Sequence, residues 1–199
     1  MLDLDPAARE VVRLLDGVND DQLWAPTPSE DTSVARLLDH IAGLALAFTW
    51  AARKTPLDGG SPPPSASADA LDPDWRKVIP QRLGELVEAW RDPAAWERTT
   101  QAGGVTMPAE AMGVVVLDEL VLHGWDLAKA TGQDFRCDPA HAAVVLEFTA
   151  DSAKPENAAG RQGLFGPVVE VPEDTPVFDR ALGYAGRDPA WTPARARPA

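Results

Sequence analysis

Residues 108–132 read PAEAMGVVVLDELVLHGWDLAKATG, and this segment decides the fold. Its apolar residues recur at helical spacing, Pro108 suits the first turn of a helix, and Gly132 suits the position just past the last turn. The pattern predicts a helix over about residues 108–131. One face of that helix carries five residues at steps of three and four: Met112, Val116, Glu119, His123 and Leu127.

Glu119 is the informative residue of this face. Burying an ionised carboxylate without a partner is so unfavourable that the group protonates or acquires a cation, and the next basic residue along the helix is Lys129. Glu119 and His123, one turn apart, offer a carboxylate oxygen and an imidazole nitrogen to a common point. A histidine from a facing helix would complete a His₂Glu set with an open position, as in several catalytic zinc sites. The competing interpretation is an ordinary i,i+4 surface pair.

The third ligand comes from another long helix. The proline-free residues 29–55 predict a helix that Thr32 or Ser33 caps and that runs to about Lys54. Its inward stripe includes His40, which places the imidazole on the buried face. If this helix meets the one over 108–131, the sequence predicts a metal site with three ligands: His40, Glu119 and His123.

Proline and glycine delimit the other elements. Further helices are expected over about 3–16, over 73–90 with a kink or split at Pro80, over 139–154, and within 174–187. The connection 91–104 is expected to be irregular, and 162–176 is too proline-rich for anything regular except a short hairpin.

The resulting fold class is all-α: four long helices around one core, with two shorter C-terminal helices, in a single domain over residues 1–199. The Pro/Ser/Gly/Ala-rich segment that begins at Pro56 predicts a mobile loop over about 56–72. The tail over about 191–199 is expected to be frayed.

Composition excludes several classes of partner. Lys+Arg number 18 and Asp+Glu 31, and the net charge of −13 argues against nucleic acid and against anionic membranes. The longest strongly apolar stretch, residues 41–48, is far shorter than a membrane span, and the acidic N-terminus does not resemble a secretory signal. A single cysteine fits a reducing compartment, so we expect a cytoplasmic protein.

Other reactive or aromatic residues receive plainer interpretations. His141, in the first turn of the helix over 139–154, is expected to be exposed and structural rather than a ligand. Cys137 is expected to be an unreactive thiol rather than a nucleophile, because no base is identifiable beside it. Trp24 and Trp125 are candidates for lining a pocket, although core packing is the usual role of tryptophan. Asp39, Asp118 and Asp126 flank the ligands, and any of them is a candidate acceptor for a ligand histidine.

Three stretches carry a family resemblance: LLDHIAGL (37–44), DELVLHGWDLAKATGQ (118–133) and FGPVVEVPEDTPVFDRALGYAGRDPAW (165–191). Together they resemble the DinB-like metal-binding proteins, in the branch related to the N-terminal domain of mycothiol-dependent maleylpyruvate isomerase. The resemblance implies a four-helix bundle in which one histidine, and a Glu and a His four residues apart, bind a divalent metal. These positions fall on the trio that the buried stripes predict.

The chain departs from the isomerase pattern in two ways, and a shared fold does not carry an activity across. The chain ends soon after the bundle, so the separate C-terminal domain of the isomerase is expected to be absent or reduced to the last two helices. The approach to the second helix, PTPSEDTSVARLLDH (26–40), carries an acidic stretch where a Gly-Trp-Thr type of sequence is usual.

The resemblance implies a metal-dependent enzyme that uses a low-molecular-weight thiol such as mycothiol, as an isomerase or a thiol transferase, on a small-molecule substrate. Zinc suits His₂Glu best, while nickel, iron and manganese are compatible with the same ligands. One alternative is a non-catalytic bundle that binds a metal or a small molecule. Another is a structural homodimer with a vestigial site.

Overall fold

The computed structural model describes residues 1–55 and 66–193. In this part of the chain the regular elements are seven α-helices and one two-stranded sheet. Their bounds are α1 Asp5–Leu15, α2 Val34–Ala52, α3 Trp75–Arg91, β1 Thr99–Ala102, β2 Val105–Pro108, α4 Ala109–Thr131, α5 Pro139–Ser152, α6 Ala158–Arg161 and α7 Val177–Tyr184. The predicted all-α class is confirmed, and the predicted helices form within a few residues of their expected bounds.

The first four helices form the bundle, in the order α1, α3, α2, α4 around its axis, because each packs against the two beside it. α4 is the longest of them and is buried on nearly all sides. Ahead of α2, Gln22 Nε2 donates to Thr131 O at 3.2 Å, and Leu23 O accepts from Ala35 N at 2.8 Å. The start of α2 therefore lies at the end of α4, and the two helices run antiparallel.

α2 begins where the sequence predicts, since the Ser33 side chain accepts a hydrogen bond from Arg36 N. It packs most extensively on α3, where Trp90 Nε1 donates to Phe48 O at 3.1 Å. By length and apolar composition α2 would also span a membrane, but 61% of the relevant window is buried within the bundle. Burial of that kind is typical of a core helix.

The hairpin of β1 and β2 corrects the expectation of an irregular connection over 91–104. Thr99 pairs with Pro108 and Ala102 with Val105, so the turn contains only Gly103 and Gly104. Both glycines have positive φ, 56° and 80°, as a two-residue hairpin turn requires. The sequence signal was weak because each strand has only four residues. α4 begins at Ala109, one residue after its expected approximate start, and Pro108 ends β2.

Pro80 lies inside α3, which continues through it without a split. Residues 162–176 do not form the short hairpin that their sequence allowed. Their backbone pairs instead with the end of α7, where Val169 N donates to Gly183 O at 2.9 Å. α5 packs on both α4 and α7. The C-terminal part therefore holds three helices, since the four-residue α6 adds to the two that were expected.

Part of the loop expected to be mobile, residues 56–65, and most of the tail, residues 194–199, lie outside the described residues. The rest of that loop contains a 3₁₀ turn at Ala68–Ala70, which packs on α2. Just before this turn, Ser67 N donates to Asp39 Oδ2 at 3.0 Å.

Candidate metal centre

α2 and α4 bring together the three residues that the sequence singles out. His40 projects from the first half of α2, and Glu119 and His123 project from the middle of α4. One potential ligand atom from each lies within 4.8 Å of the others. The helical period places Glu119 and His123 on one face of α4, and the antiparallel packing of α2 places His40 opposite them.

The contacts within this trio are close and partly open to solvent. His123 Nε2 lies 2.8 Å from Glu119 Oε2, and His40 Nε2 lies 4.0 Å from the same oxygen. The two imidazole rings meet edge to face, with centroids 4.9 Å apart. The exposed fractions of the side chains are 28% for His40, 22% for Glu119 and 12% for His123. Two nitrogens and one oxygen thus converge at a point that is partly exposed to solvent.

The two histidines differ in charge because their neighbours differ. Burial and the neighbouring charge of His123 lower the pKa of His40 to about 4. Burial also acts to lower the pKa of His123, but hydrogen bonds to Asp126 and Glu119 outweigh it and raise that pKa to about 9. Burial acts to raise the pKa of Glu119, yet the hydrogen bond from His123 leaves it below the usual value.

Of the three aspartates considered as acceptors, Asp126 is the one that contacts a ligand. Its Oδ2 lies 3.1 Å from His123 Nδ1, on the side of the ring away from Glu119. Asp39 accepts instead from the backbone at Ser67. Asp118 is buried, its Oδ1 has no hydrogen-bond partner among the described residues, and burial raises its pKa well above the usual value.

Sequence reasoning missed Arg187, which lies 61 residues beyond Asp126. Its guanidinium Nε lies 3.1 Å from Asp126 Oδ1 and its Nη2 lies 2.9 Å from Asp126 Oδ2. Along α4 the next basic residue after Glu119 is Lys129, whereas this buried arginine comes from the segment after α7. The available signal was the GRDPAW stretch that contributed to the family resemblance.

A small apolar pocket, with room for about one water molecule, opens beside Glu119 and His123. Neither tryptophan considered for such a role lines it. Trp24 is 69% exposed, and Trp125 is buried with Lys129 Nζ 5.6 Å from its ring centroid. All the other lining residues are apolar: Val11, Ile41, Leu44, Ala45, Phe48, Leu86, Val116 and Leu120.

His141 and Cys137 lie apart from the trio. The expectation that His141 is exposed is wrong: it is 7% exposed, and its Nε2 lies 2.8 Å from Asp3 O, so the side chain ties α5 to the N-terminal segment. Cys137 is half-buried, and burial raises the pKa of its thiol to about 12. A thiol with such a pKa is almost entirely protonated near pH 7 and is a poor nucleophile.

The donor set has the chemistry of a divalent-metal site. Two imidazoles and one carboxylate are the protein ligands of His₂Glu zinc sites, which keep a further position open. The remaining nitrogen of His123 faces a carboxylate, as is usual for a ligand histidine. The residues present therefore fit a metal of the zinc type.

Comparison with known proteins places this geometry in context. The family described as "Mycothiol maleylpyruvate isomerase N-terminal domain" matches residues 4–128. Two proteins of Mycobacterium tuberculosis, from strains CDC 1551 and H37Rv, are each 27% identical over 177 residues, which is 87% of this chain and 90% of theirs. Both are described as uncharacterized.

Two solved structures share the fold. A crystal structure of a histidine-to-alanine mutant of the mycothiol-dependent maleylpyruvate isomerase superposes with a TM-score of 0.59 at 18% identity. A second crystal structure of the isomerase gives a TM-score of 0.56 at 19% identity. Each superposition covers 95% of this chain and 79% of the other.

Proposed function

The chain belongs to the family of the mycothiol maleylpyruvate isomerase N-terminal domain, and from this premise we propose a metal-dependent protein that uses a low-molecular-weight thiol. His40, Glu119 and His123 hold a divalent metal, for which zinc is the best candidate. The thiol is mycothiol or a close relative, and the reaction is an isomerisation or a thiol transfer on a small molecule.

The observation that carries the proposal is the convergence of three donor atoms within 4.8 Å at a partly open site. Two side chains of the trio come from one helix and the third from its antiparallel neighbour, as in other bundle metal sites. A bound divalent metal would lower the pKa of an incoming thiol, so that the sulfur is a thiolate near neutral pH.

The chain's own residues prepare the site for such a ligand. His40, with a pKa of about 4, is neutral at physiological pH, so its nitrogen is free to donate an electron pair. Asp126 holds Nδ1 of His123, and Nε2 is left directed at Glu119. Glu119 supplies the single carboxylate and gives the donor set the mixed nitrogen and oxygen character that zinc accepts.

The surroundings bear on the substrate. The wall beside Glu119 and His123 is apolar, so the part of a substrate that lies against it is expected to be apolar. The reactive sulfur must come from a separate molecule, because Cys137 lies past the end of α4 and its thiol has a pKa of about 12. The position and pKa of Cys137 favour a small external thiol. The apolar wall favours an electrophile with a nonpolar portion.

Cobalt-substituted protein tests the proposal, since a thiolate–cobalt bond produces a charge-transfer band in the near ultraviolet. Mycothiol is expected to produce that band at one equivalent of cobalt, in the wild type and in the matched variant Cys137→Ser alike. Glu119→Ala is expected to give no band. Stoichiometric metal without a band for mycothiol or any simple thiol would contradict thiol use and favour the non-catalytic binder. Protein that retains no metal when purified without chelator would favour the structural bundle.

A further inference from the structure

We propose that Arg187 is a positioning residue for His123, acting through Asp126, and that the segment after α5 delivers it to the back of the site. The inference rests on the proposed function, because it assumes that His123 is a metal ligand. It concerns a part of the chain beyond residue 128, where the family match ends.

The contacts form an unbroken chain of three side chains. Arg187 binds both oxygens of Asp126, through Nε at 3.1 Å and Nη2 at 2.9 Å. The oxygen that receives Nη2 also faces His123 Nδ1, at 3.1 Å. A guanidinium that engages both oxygens fixes the plane of the carboxylate, so Arg187 sets the direction in which Asp126 accepts from the imidazole.

The pair has few alternatives to this arrangement. The Asp126 side chain is 0% exposed and that of Arg187 is 9% exposed, so neither exchanges its partner for water. An ionised aspartate is an acceptor only, so His123 Nδ1 donates to it and Nε2 is the nitrogen left for the trio. Nε2 is also the atom that lies 2.8 Å from Glu119 Oε2.

The end of α7 is built to place the arginine. Gly186 has a φ of 80°, and a Cβ there would lie 2.8 Å from Pro167 O, so the chain can turn and pack here only with glycine. After this turn, Arg187 N donates to Leu182 O at 2.9 Å, and the guanidinium Nη1 donates to Ala185 O at 3.1 Å. Both the backbone and the guanidinium of Arg187 are therefore held by the end of α7 and the residue after it.

The competing explanation is a salt bridge that only ties the C-terminal segment to α4. A structural tie of that kind affects the free energy of unfolding and leaves the properties of His123 unchanged. A positioning role also affects the hydrogen bond of His123 and the affinity of the trio for metal. Altering a residue behind a metal ligand typically costs about 10–100-fold in metal affinity.

The experiment compares Arg187→Lys and Asp126→Asn with Arg13→Lys, which disrupts another bidentate arginine–carboxylate pair, away from the trio. Histidine ring ¹⁵N–¹H spectra of metal-free protein are recorded, and cobalt affinity is measured by competition. We expect a slowly exchanging, downfield Nδ1 proton for His123 in the wild type and in Arg13→Lys. In the other two variants we expect this proton to exchange rapidly and cobalt affinity to fall about 10–100-fold.

Wild-type His123 without a protected Nδ1 proton would overturn the proposal, even if every variant failed to fold. Normal His123 signals and cobalt affinity in Arg187→Lys and Asp126→Asn, with reduced stability, would also overturn it in favour of the structural tie. Wild-type protein that binds no cobalt contradicts the proposed function, whereas the spectra of metal-free protein still test the positioning role.

Discussion

Two arginine–carboxylate pairs in this bundle have nearly the same geometry and different surroundings. Arg13 binds both oxygens of Glu10 on α1, at 2.8 and 2.7 Å, and Arg187 binds both oxygens of Asp126 on α4. The free capacity of the first pair goes to backbone groups, at Asp134 O and Arg136 N. In the second pair Arg187 Nη1 donates to the backbone at Ala185 O, and Asp126 Oδ2 faces the ring nitrogen Nδ1 of His123.

The difference shows what distinguishes a structural polar cluster from a candidate site. Glu10 accepts from Arg13 and from Arg136 N, and Arg13 also donates to Asp134 O, so this cluster holds the connection between α4 and α5 against α1. Behind His123 the chain of hydrogen bonds leads to three potential ligand atoms that lie within 4.8 Å of one another. The geometry of an arginine–carboxylate pair therefore does not by itself indicate its role. The role depends on the further groups to which the pair is hydrogen-bonded.

The largest expected effect is on metal binding itself. His40→Ala, Glu119→Ala and His123→Ala should each abolish stoichiometric binding, because two protein ligands remain where the site needs three. His141→Ala is the matched control, since this histidine is bound to Asp3 O and lies apart from the trio. Metal analysis after purification without chelator checks the set, and a His141→Ala protein without metal beside a loaded His40→Ala protein would show that the ligands are misassigned.

A smaller effect distinguishes the two pairs by stability. Replacing Arg187 with Met leaves the buried carboxylate of Asp126 without its guanidinium partner and should lower the free energy of unfolding by about 3–5 kcal/mol. Replacing Arg13 with Met should lower it by roughly 1 kcal/mol, because that side chain is 37% exposed and water takes its place. Urea titration of the metal-free proteins measures both values, and equal losses would mean that burial does not separate the pairs.

The pH dependence of metal binding sharpens the contrast between the two ligand histidines. With a pKa of about 9, His123 carries a proton at pH 7 that the metal must displace, whereas His40, at about 4, carries none. Binding at pH 7 should therefore release about one proton, and apparent affinity should rise about tenfold per pH unit until pH approaches the pKa of His123. Calorimetry in buffers of different ionisation enthalpy measures the proton count, and a count of zero contradicts the assignment.

The same proton has a consequence for the metal-free protein. Because folding raises the pKa of His123 from 6.5 to about 9, the stabilisation is fully present below the unfolded value and is lost as pH rises through the folded one. Folding lowers the pKa of Glu10, so its contribution is present above its unfolded value and is lost as the solution becomes more acidic. The free energy of unfolding, measured across pH, should lose its fall at high pH in His123→Ala. In Glu10→Gln it should lose part of its fall at low pH.

The smallest expected effect is on the fold when metal is removed. The bundle has an extensive apolar core of its own, so chelation should leave the far-ultraviolet circular dichroism largely intact. A zinc finger, by contrast, unfolds without its metal. Complete loss of the helical signal on chelation would mean that the trio is a structural rather than a functional site.

Much of the candidate site was accessible from the sequence because it lies on helices. The period of 3.6 residues placed Glu119 and His123 on one face of α4, and the same argument placed His40 on the buried face of α2. The short hairpin at 99–108 was missed because four-residue strands give too little alternation to detect. His141 was expected at the surface because its burial depends on the N-terminal segment that covers it.

What the sequence alone determined was local: the helices, the stripe that each one buries, and the side chains within those stripes. Such properties follow from the backbone period and from the apolar or polar character of residues a few positions apart. Tertiary structure decided that α2 lies antiparallel to α4, that Asp126 rather than Asp39 or Asp118 contacts His123, and that Arg187 reaches Asp126 across 61 residues. Those outcomes depend on how separate elements pack, and no local period encodes the packing partner of a helix face.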